Sequence, residues 1–446
     1  MASATINAPV AGRNGVVIAQ RPKTTGPGYR TYEIHQRERV GESTEKIKPT
    51  QLISPAYRRD PYPLVEVLRE NYPCFRDWAS NCYWVTQYDD VTSIYADDAN
   101  FESRSKLWYY GIEDFGRDLR DEIPVLEAQA RRIDGFAESV ANDLVDQFDA
   151  HSANLATEFA ARYPLELLAK VLGLPADDVG EFAGRYWRAQ RGTSWEPTLQ
   201  VDGRRALDEL VDYFEALLQA RRSSPGDDMI SAIAGLELAD GPATARDLAV
   251  TVLEGDHQTL HGALANMWFL LLTHHDEFTK ATSERRLLKL AYLETLRHST
   301  PVLSAQRFAR HEVERFGRLI PEGGLMICSA AAANRDPRIF DDPDSFVVDR
   351  KDLCQREPRG MYRADGLASG VTFGLGKPSK HPAVPEDRPR SLYAITRDTA
   401  VTASSVLLER LEGLKLEPGA TPYLTSLLLG EMHTCWKLPV HFNKRS

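Results

Sequence analysis

The chain has 446 residues and a formal net charge of -10, with hydrophobic residues at 42 % and charged residues at 26 %. This is the composition of a globular protein able to bury a large core, and it excludes disorder as the dominant state. Acidic and basic residues are interspersed with no basic stripe, so no nucleic-acid partner is expected. With no apolar run near the ~20 residues that span a bilayer and no signal-like N-terminus, no membrane partner is expected either, and the location reads as cytoplasmic.

In chain order, residues 1–50 are polar and lack an apolar period, which reads as an N-terminal arm, and residues 51–446 read as a single domain. Asp60-Pro61-Tyr62-Pro63 precedes an amphipathic helix, and Cys82-Tyr83-Trp84-Val85-Thr86 has the aromatic and β-branched character of a strand. Helical periodicity follows over 126–148, 156–172 and 203–222. The longest pattern runs from Ala245 to about Thr273, with Thr244 and Asp247 at capping-box spacing, and predicts one central helix about 40 Å long at 1.5 Å per residue. A helix over 286–298, a strand-like stretch through 313, the turn Pro321-Glu322-Gly323-Gly324, a strand over 325–329 and a helix over 391–411 complete the pattern. The class is mainly α with a minor β-sheet. Cys74, Cys82, Cys328, Cys354 and Cys435 show no metal-type spacing, and their odd number fits reduced thiols.

From about residue 54 onward the text resembles the cytochrome P450 superfamily, bacterial type. The resemblance is carried by Asp60-Pro61-Tyr62-Pro63, by Tyr163-Pro164-Leu165-Glu166-Leu167-Leu168 continuing to Gly173-Leu174-Pro175, and by Glu294-Thr295-Leu296-Arg297. Its most specific part is Ala333-Asn334-Arg335-Asp336-Pro337 with Phe340, Asp342-Pro343-Asp344-Ser345-Phe346 and Asp349-Arg350. The resemblance implies the P450 fold, a haem cofactor, and a structural network of Glu294, Arg297 and Arg350. It also places Arg307, in Gln306-Arg307-Phe308-Ala309, where the family often sets an arginine against a haem propionate.

Other family features depart from the pattern. The haem loop, Phe-Gly-x-Gly-x-His/Arg-x-Cys-x-Gly in the family, is matched by Phe373-Gly374-Leu375-Gly376 and then Lys377-Pro378-Ser379-Lys380-His381-Pro382. Counting forward puts Lys380 at the cysteine position, counting back from the last helix puts Arg390 there, and no cysteine lies between Cys354 and Cys435. Neither a lysine nor an arginine replaces the thiolate that pushes electron density onto iron, and His381 is the better alternative ligand. The family's proton-relay segment reads Glu254-Gly255-Asp256-His257-Gln258-Thr259, so Asp256, His257 and Thr259 are the pocket candidates for catalysis. Near Pro124, where the resemblance implies a helix with His-x-x-x-Arg, only Arg131 is kept. The cofactor-binding candidates are thus Arg131, Arg307, Phe373 and His381, with Lys380, Arg390 or His381 as the metal position.

A kept framework with an altered haem site implies a P450 homologue acting as a binding or helper protein in natural-product metabolism. Its expected partners are a hydrophobic small molecule and an enzyme of the same pathway. The rival is an enzyme: an oxidoreductase, isomerase or dehydratase whose haem has another ligand, or a haem-free acid–base enzyme using Glu254, Asp256 and His257. Haem occupancy is open between these readings.

Overall fold

The computed structural model describes residues 47–445 except positions 73, 113–114, 195, 256, 357–366, 373–389 and 428–431, together with the paired strands Val10–Ala11 and Val17–Ile18. Ile47, Pro49 and Leu52 are buried, so packing begins inside the stretch read as an arm. They join Tyr57 and, from helix α1 (Tyr62–Asn71), Val65 and Leu68 in a small apolar cluster.

The main sheet brings distant parts of the chain together. A hairpin of β1 (Cys74–Asp77) and β2 (Cys82–Val85) is followed by α2 (Tyr88–Tyr95) and the short β3 (Phe101–Glu102). After the helical region come β4 (Ser304–Ala309) and β5 (Leu325–Ser329), giving the order β1-β2-β5-β4-β3. Only β2 and β5 pair in parallel, with Val85 opposite Cys328. Every residue of β5 is buried, as expected of a strand paired on both sides.

The helical part holds α3 (Ile123–Asp146), α4 (Tyr163–Leu172), α5 (Val179–Gly192), α6 (Pro197–Ser223), α7 (Ala245–Leu253), α8 (His257–Thr273), α9 (Arg285–His298) and α10 (Leu392–Arg410). No helix among the described residues is long and apolar enough to cross a membrane. The 156–172 pattern is interrupted at Arg162, where Pro164 at the head of α4 cannot donate a helical hydrogen bond. The α5–α6 pair packs unusually close: a Cβ on Gly203 would lie 2.7 Å from the Cα of Gly192. A hairpin of β6 (Tyr423–Leu427) and β7 (Met432–Lys437) closes over α8.

The single helix expected over 245–273 is corrected to two, α7 and α8. The Thr244–Asp247 capping box forms at the head of α7, but the helix stops at Leu253. Side chains from elsewhere take the carbonyls released there: Gln190 Nε2 donates to Leu253 O at 2.6 Å, and the Arg120 guanidinium donates to Glu254 O. The Glu254 carboxylate accepts from Ser105 Oγ and Lys106 N, each at 2.7 Å. Tertiary hydrogen bonds thus replace the helical ones at the interruption.

Candidate functional site

Glu294 and Arg297 face one another on α9 because residues three apart share a helix face. Arg297 Nε and Nη2 donate to the two Glu294 oxygens at 2.7 Å each, a bidentate pair with both side chains fully buried. Arg350 Nε donates to the same carboxylate at 3.1 Å. The remaining donors of Arg297 go to the carbonyls of Asn334, Pro343 and Ser345, and those of Arg350 to the carbonyls of Asp341, Asp342 and Ser345 and to the Asp352 carboxylate at 3.3 Å. The segment 334–350 is therefore fastened to α9 through its backbone. Asn334 extends the fastening, accepting from Val371 N at 2.8 Å while Thr372 Oγ1 donates to Leu296 O at 2.7 Å. This pins the chain just before Phe373. Phe373, Lys380 and His381 themselves lie outside the described residues, as does Asp256.

His257 opens α8 beside that break. Its ring packs so near Gly255 that a Cβ there would stand 2.6 Å from His257 Nε2, which is why a glycine fits this position. Partly buried, it meets Tyr186 of α5 edge-on at 6.1 Å. Desolvation, with the Lys106 and Arg120 charges adding to it, pushes its pKa down to about 3, so the imidazole is neutral and weakly basic at physiological pH. Thr259 follows, buried on the same helix. One turn on, His261 is enclosed between Trp187 and Trp436, each perpendicular to it, at 5.7 and 5.3 Å. It is 1 % exposed, neither ring nitrogen has a hydrogen-bond partner among the described residues, and burial lowers its pKa to about 4. His257 and His261 do not form a metal site with a third ligand among the described residues. Trp187 and Trp436 come from α5 and β7, remote from α8 in sequence, and no motif pointed to them.

His257 also lines a cavity between α8, α3, α4 and α10, with Gln129, Leu168, Leu260, Ile395 and Thr399 among its walls. Its volume is about 30 Å³, room for a water or two, against roughly 300–1,000 Å³ for ordinary ligand pockets.

The other candidates are dispersed. Arg131 is exposed on α3 and donates to Asp227 O at 2.9 Å. Arg307 stacks over Tyr95 at 4.8 Å and donates to Gln306 O at 2.8 Å, on the α2 side of the sheet, whereas its neighbour Gln306 reaches the Tyr109 hydroxyl. Arg390 Nη2 donates to Asp134 at 2.6 Å, and its Nη1 lies 3.6 Å from Asp398. Of the thiols flanking the loop, Cys354 is buried with its N–H on Ala368 O. Cys435 donates to Lys437 O at 3.3 Å, and burial raises its pKa to about 11.

With this geometry described, known proteins provide the comparison. The cytochrome P450 family model matches residues 273–352, the stretch from the end of α8 through the Glu294–Arg297–Arg350 network. The 6-deoxyerythronolide B hydroxylase of Saccharopolyspora erythraea is 26 % identical, over 73 % of this chain and 86 % of that one. Cytochrome P450 107B1 of the same organism is 29 % identical, over 65 % of this chain and 72 % of its own length. Among solved structures, cytochrome P450 CYP109Q5 from Chondromyces apiculatus superposes with a TM-score of 0.70 at 19 % identity, over 89 % of this chain and 98 % of that one. The chain has the cytochrome P450 fold, and in the order of its segments and in the network that ties α9 to residues 334–350 it is similar to the bacterial members of that superfamily.

Proposed function

We propose that this P450-fold protein has given up thiolate-haem monooxygenation and acts as a binding or helper protein in small-molecule metabolism. Its partner in this reading is an enzyme of the same pathway, and its ligand a hydrophobic small molecule. The main support is Arg390: it occupies one of the two registers for the family's cysteine, and its guanidinium is spent on Asp134 and Asp398. The family is a haem family, and bound haem supplies oxidising chemistry tuned by an axial thiolate. The described residues do not fit that group. The α8–α10 cavity is about 30 Å³, Cys435 is held as a protonated thiol, and Arg131 and Arg307 are occupied on different elements. Relatives such as the 6-deoxyerythronolide B hydroxylase, named for a large natural-product substrate, support the metabolic setting. All five cysteines are buried thiols, which fits a reducing compartment and hence the cytoplasm.

The test is the visible spectrum of the purified full-length protein, reduced and treated with carbon monoxide, followed by assay of the pathway enzyme with and without the haem-stripped protein. The expected result is no thiolate-type Soret band and a raised partner activity that survives haem removal. A stable thiolate-type band abolished by one Cys→Ser change overturns the proposal and restores the monooxygenase reading. A histidine-type spectrum lost in His381→Ala, with turnover by the isolated chain, overturns it in favour of a haem enzyme with a different ligand.

A further inference from the structure

A second cavity, of about 600 Å³, lies between α3, the first turns of α9 and α10. Its volume is within the roughly 300–1,000 Å³ range of small-molecule sites. Among the described residues its lining carries four cations, Arg285, Arg286, Lys289 and Arg390, against three carboxylates, Asp134, Glu138 and Asp398. On α3 and α10, Asp134 is taken by Arg390 at 2.6 Å, and Asp398 by Arg397 at 2.8 Å with Arg390 at 3.6 Å. On α9, Arg285 and Lys289 are one turn apart with Arg286 beside them. Among the described residues Arg285 reaches a hydroxyl, Thr402 Oγ1 at 3.2 Å, and no carboxylate. Neither Arg286 nor Lys289 makes a hydrogen bond or ion pair with any described residue, and the carboxylates near these cations are Glu138 and the already shared Asp398. Lys289 is partly buried, and its pKa is lowered by desolvation and then by the neighbouring Arg397. Among the described residues the recessed ammonium has only Asp398, already shared with Arg397 and Arg390, acting on it as a negative charge, and the Arg285 and Arg286 guanidinium groups beside it make no ion pair.

We propose that this cleft binds a small polyanion, a phosphate- or diphosphate-bearing metabolite, held by Arg285, Arg286 and Lys289 with the Thr402 hydroxyl as a further donor. Guanidinium forks match phosphate oxygens bidentately, and the lysine adds a point charge. Because Lys289 sits inside the cleft, a compact anion reaches it more readily than the face of an acidic protein does. The site uses the α9–α10 side of the molecule and is independent of how the α8 cavity is used.

The experiment is calorimetric titration of the full-length protein with inorganic pyrophosphate, repeated with Arg286→Ala, Lys289→Met and Lys289→Arg, and with Lys351→Ala as a control outside the cleft. Expected is saturable binding to one site, weakened about tenfold by either charge removal, since a charge-assisted hydrogen bond is worth roughly one decade of affinity. Lys289→Arg and Lys351→Ala retain binding. Lys289→Arg keeps the proposal testable if Lys289→Met melts early. Absence of saturable binding, equal affinity in all variants, or binding of an acidic protein that pyrophosphate does not compete with would each overturn the proposal.

Discussion

Arg297 and Glu294 meet through two contacts of 2.7 Å at full burial, while Arg350 shares the same carboxylate at 3.1 Å. The Glu294 carboxylate is thus the ion-pair partner of Arg297 and is shared with Arg350, which also reaches Asp352 at 3.3 Å. Removing it by Glu294→Ala, or removing Arg297 by Arg297→Ala, strands a buried charge at a cost of roughly 3–5 kcal/mol. Urea melts should show that loss, and Arg297→Lys should not rescue it, because an ammonium lacks the fork that also serves three carbonyls. Parent-like midpoints for both alanine variants would mean that the network contributes little to folding.

Asn266, fully buried on α8, should be nearly as sensitive. Its Nδ2 donates to Ser299 O at 2.9 Å and His433 O at 3.0 Å, while its Oδ1 accepts from Cys435 N at 2.9 Å. Asn266→Ala orphans these backbone groups at the join between α8 and the β7 hairpin, and should cost at least about 2 kcal/mol. Hydrogen exchange at the Cys435 amide should rise with it; an unchanged exchange rate would show that another group takes over the bond.

At the α5–α6 contact, Gly203→Ala places a methyl 2.7 Å from Gly192 Cα and 3.0 Å from Arg188 O, both backbone atoms. The helices must separate, so a loss of about 1–3 kcal/mol is expected despite the better helix propensity of alanine. Thermal melting measures it. A gain in stability would mean that the helices part at no cost.

His261 predicts a pH dependence. Its folded pKa of about 4 lies below the ordinary 6.5, so the unfolded chain binds the extra proton first as pH falls. Stability from this group is complete above about 6.5 and is lost as pH drops toward 4, to a total of about 3 kcal/mol. His257, His298 and His433, also lowered, act in the same direction. His261→Phe should flatten the acid limb and raise stability at pH 5, since an apolar ring between Trp187 and Trp436 leaves no nitrogen unsatisfied. Melting curves from pH 4 to 8 decide; an unchanged acid limb would show that His261 titrates normally.

Much of the framework could be read from the chain, because Glu294, Arg297 and the 333–350 segment are local patterns whose partners lie in nearby text. The division of 245–273 could not. Apolar periodicity continues on both sides of residues 254–256, and the interruption is set by Gln190, Arg120, Ser105 and Lys106, which no local pattern links to Leu253 or Glu254. Helix α5 was missed because Gly180, Gly184 and Gly192 depress its propensity; its stability comes from packing on α6. The aromatic enclosure of His261 joins α5, α8 and β7 across more than half the chain, a relation that spacing does not encode.

The parallel pairing of β2 with β5 also has a consequence for biosynthesis. Val85 leaves the ribosome about 240 residues before its partner Cys328 is made, roughly 10–50 s at ordinary elongation rates. During that interval the β1–β2 hairpin exposes an open edge with the apolar Tyr83 and Val85, a target for strand pairing with other nascent chains. Loop closure over such a span is slow, so the sheet is among the last parts to assemble, after the helices with local contacts. Chaperone demand during synthesis should therefore follow the distance between these two strands more closely than the stability of the finished protein.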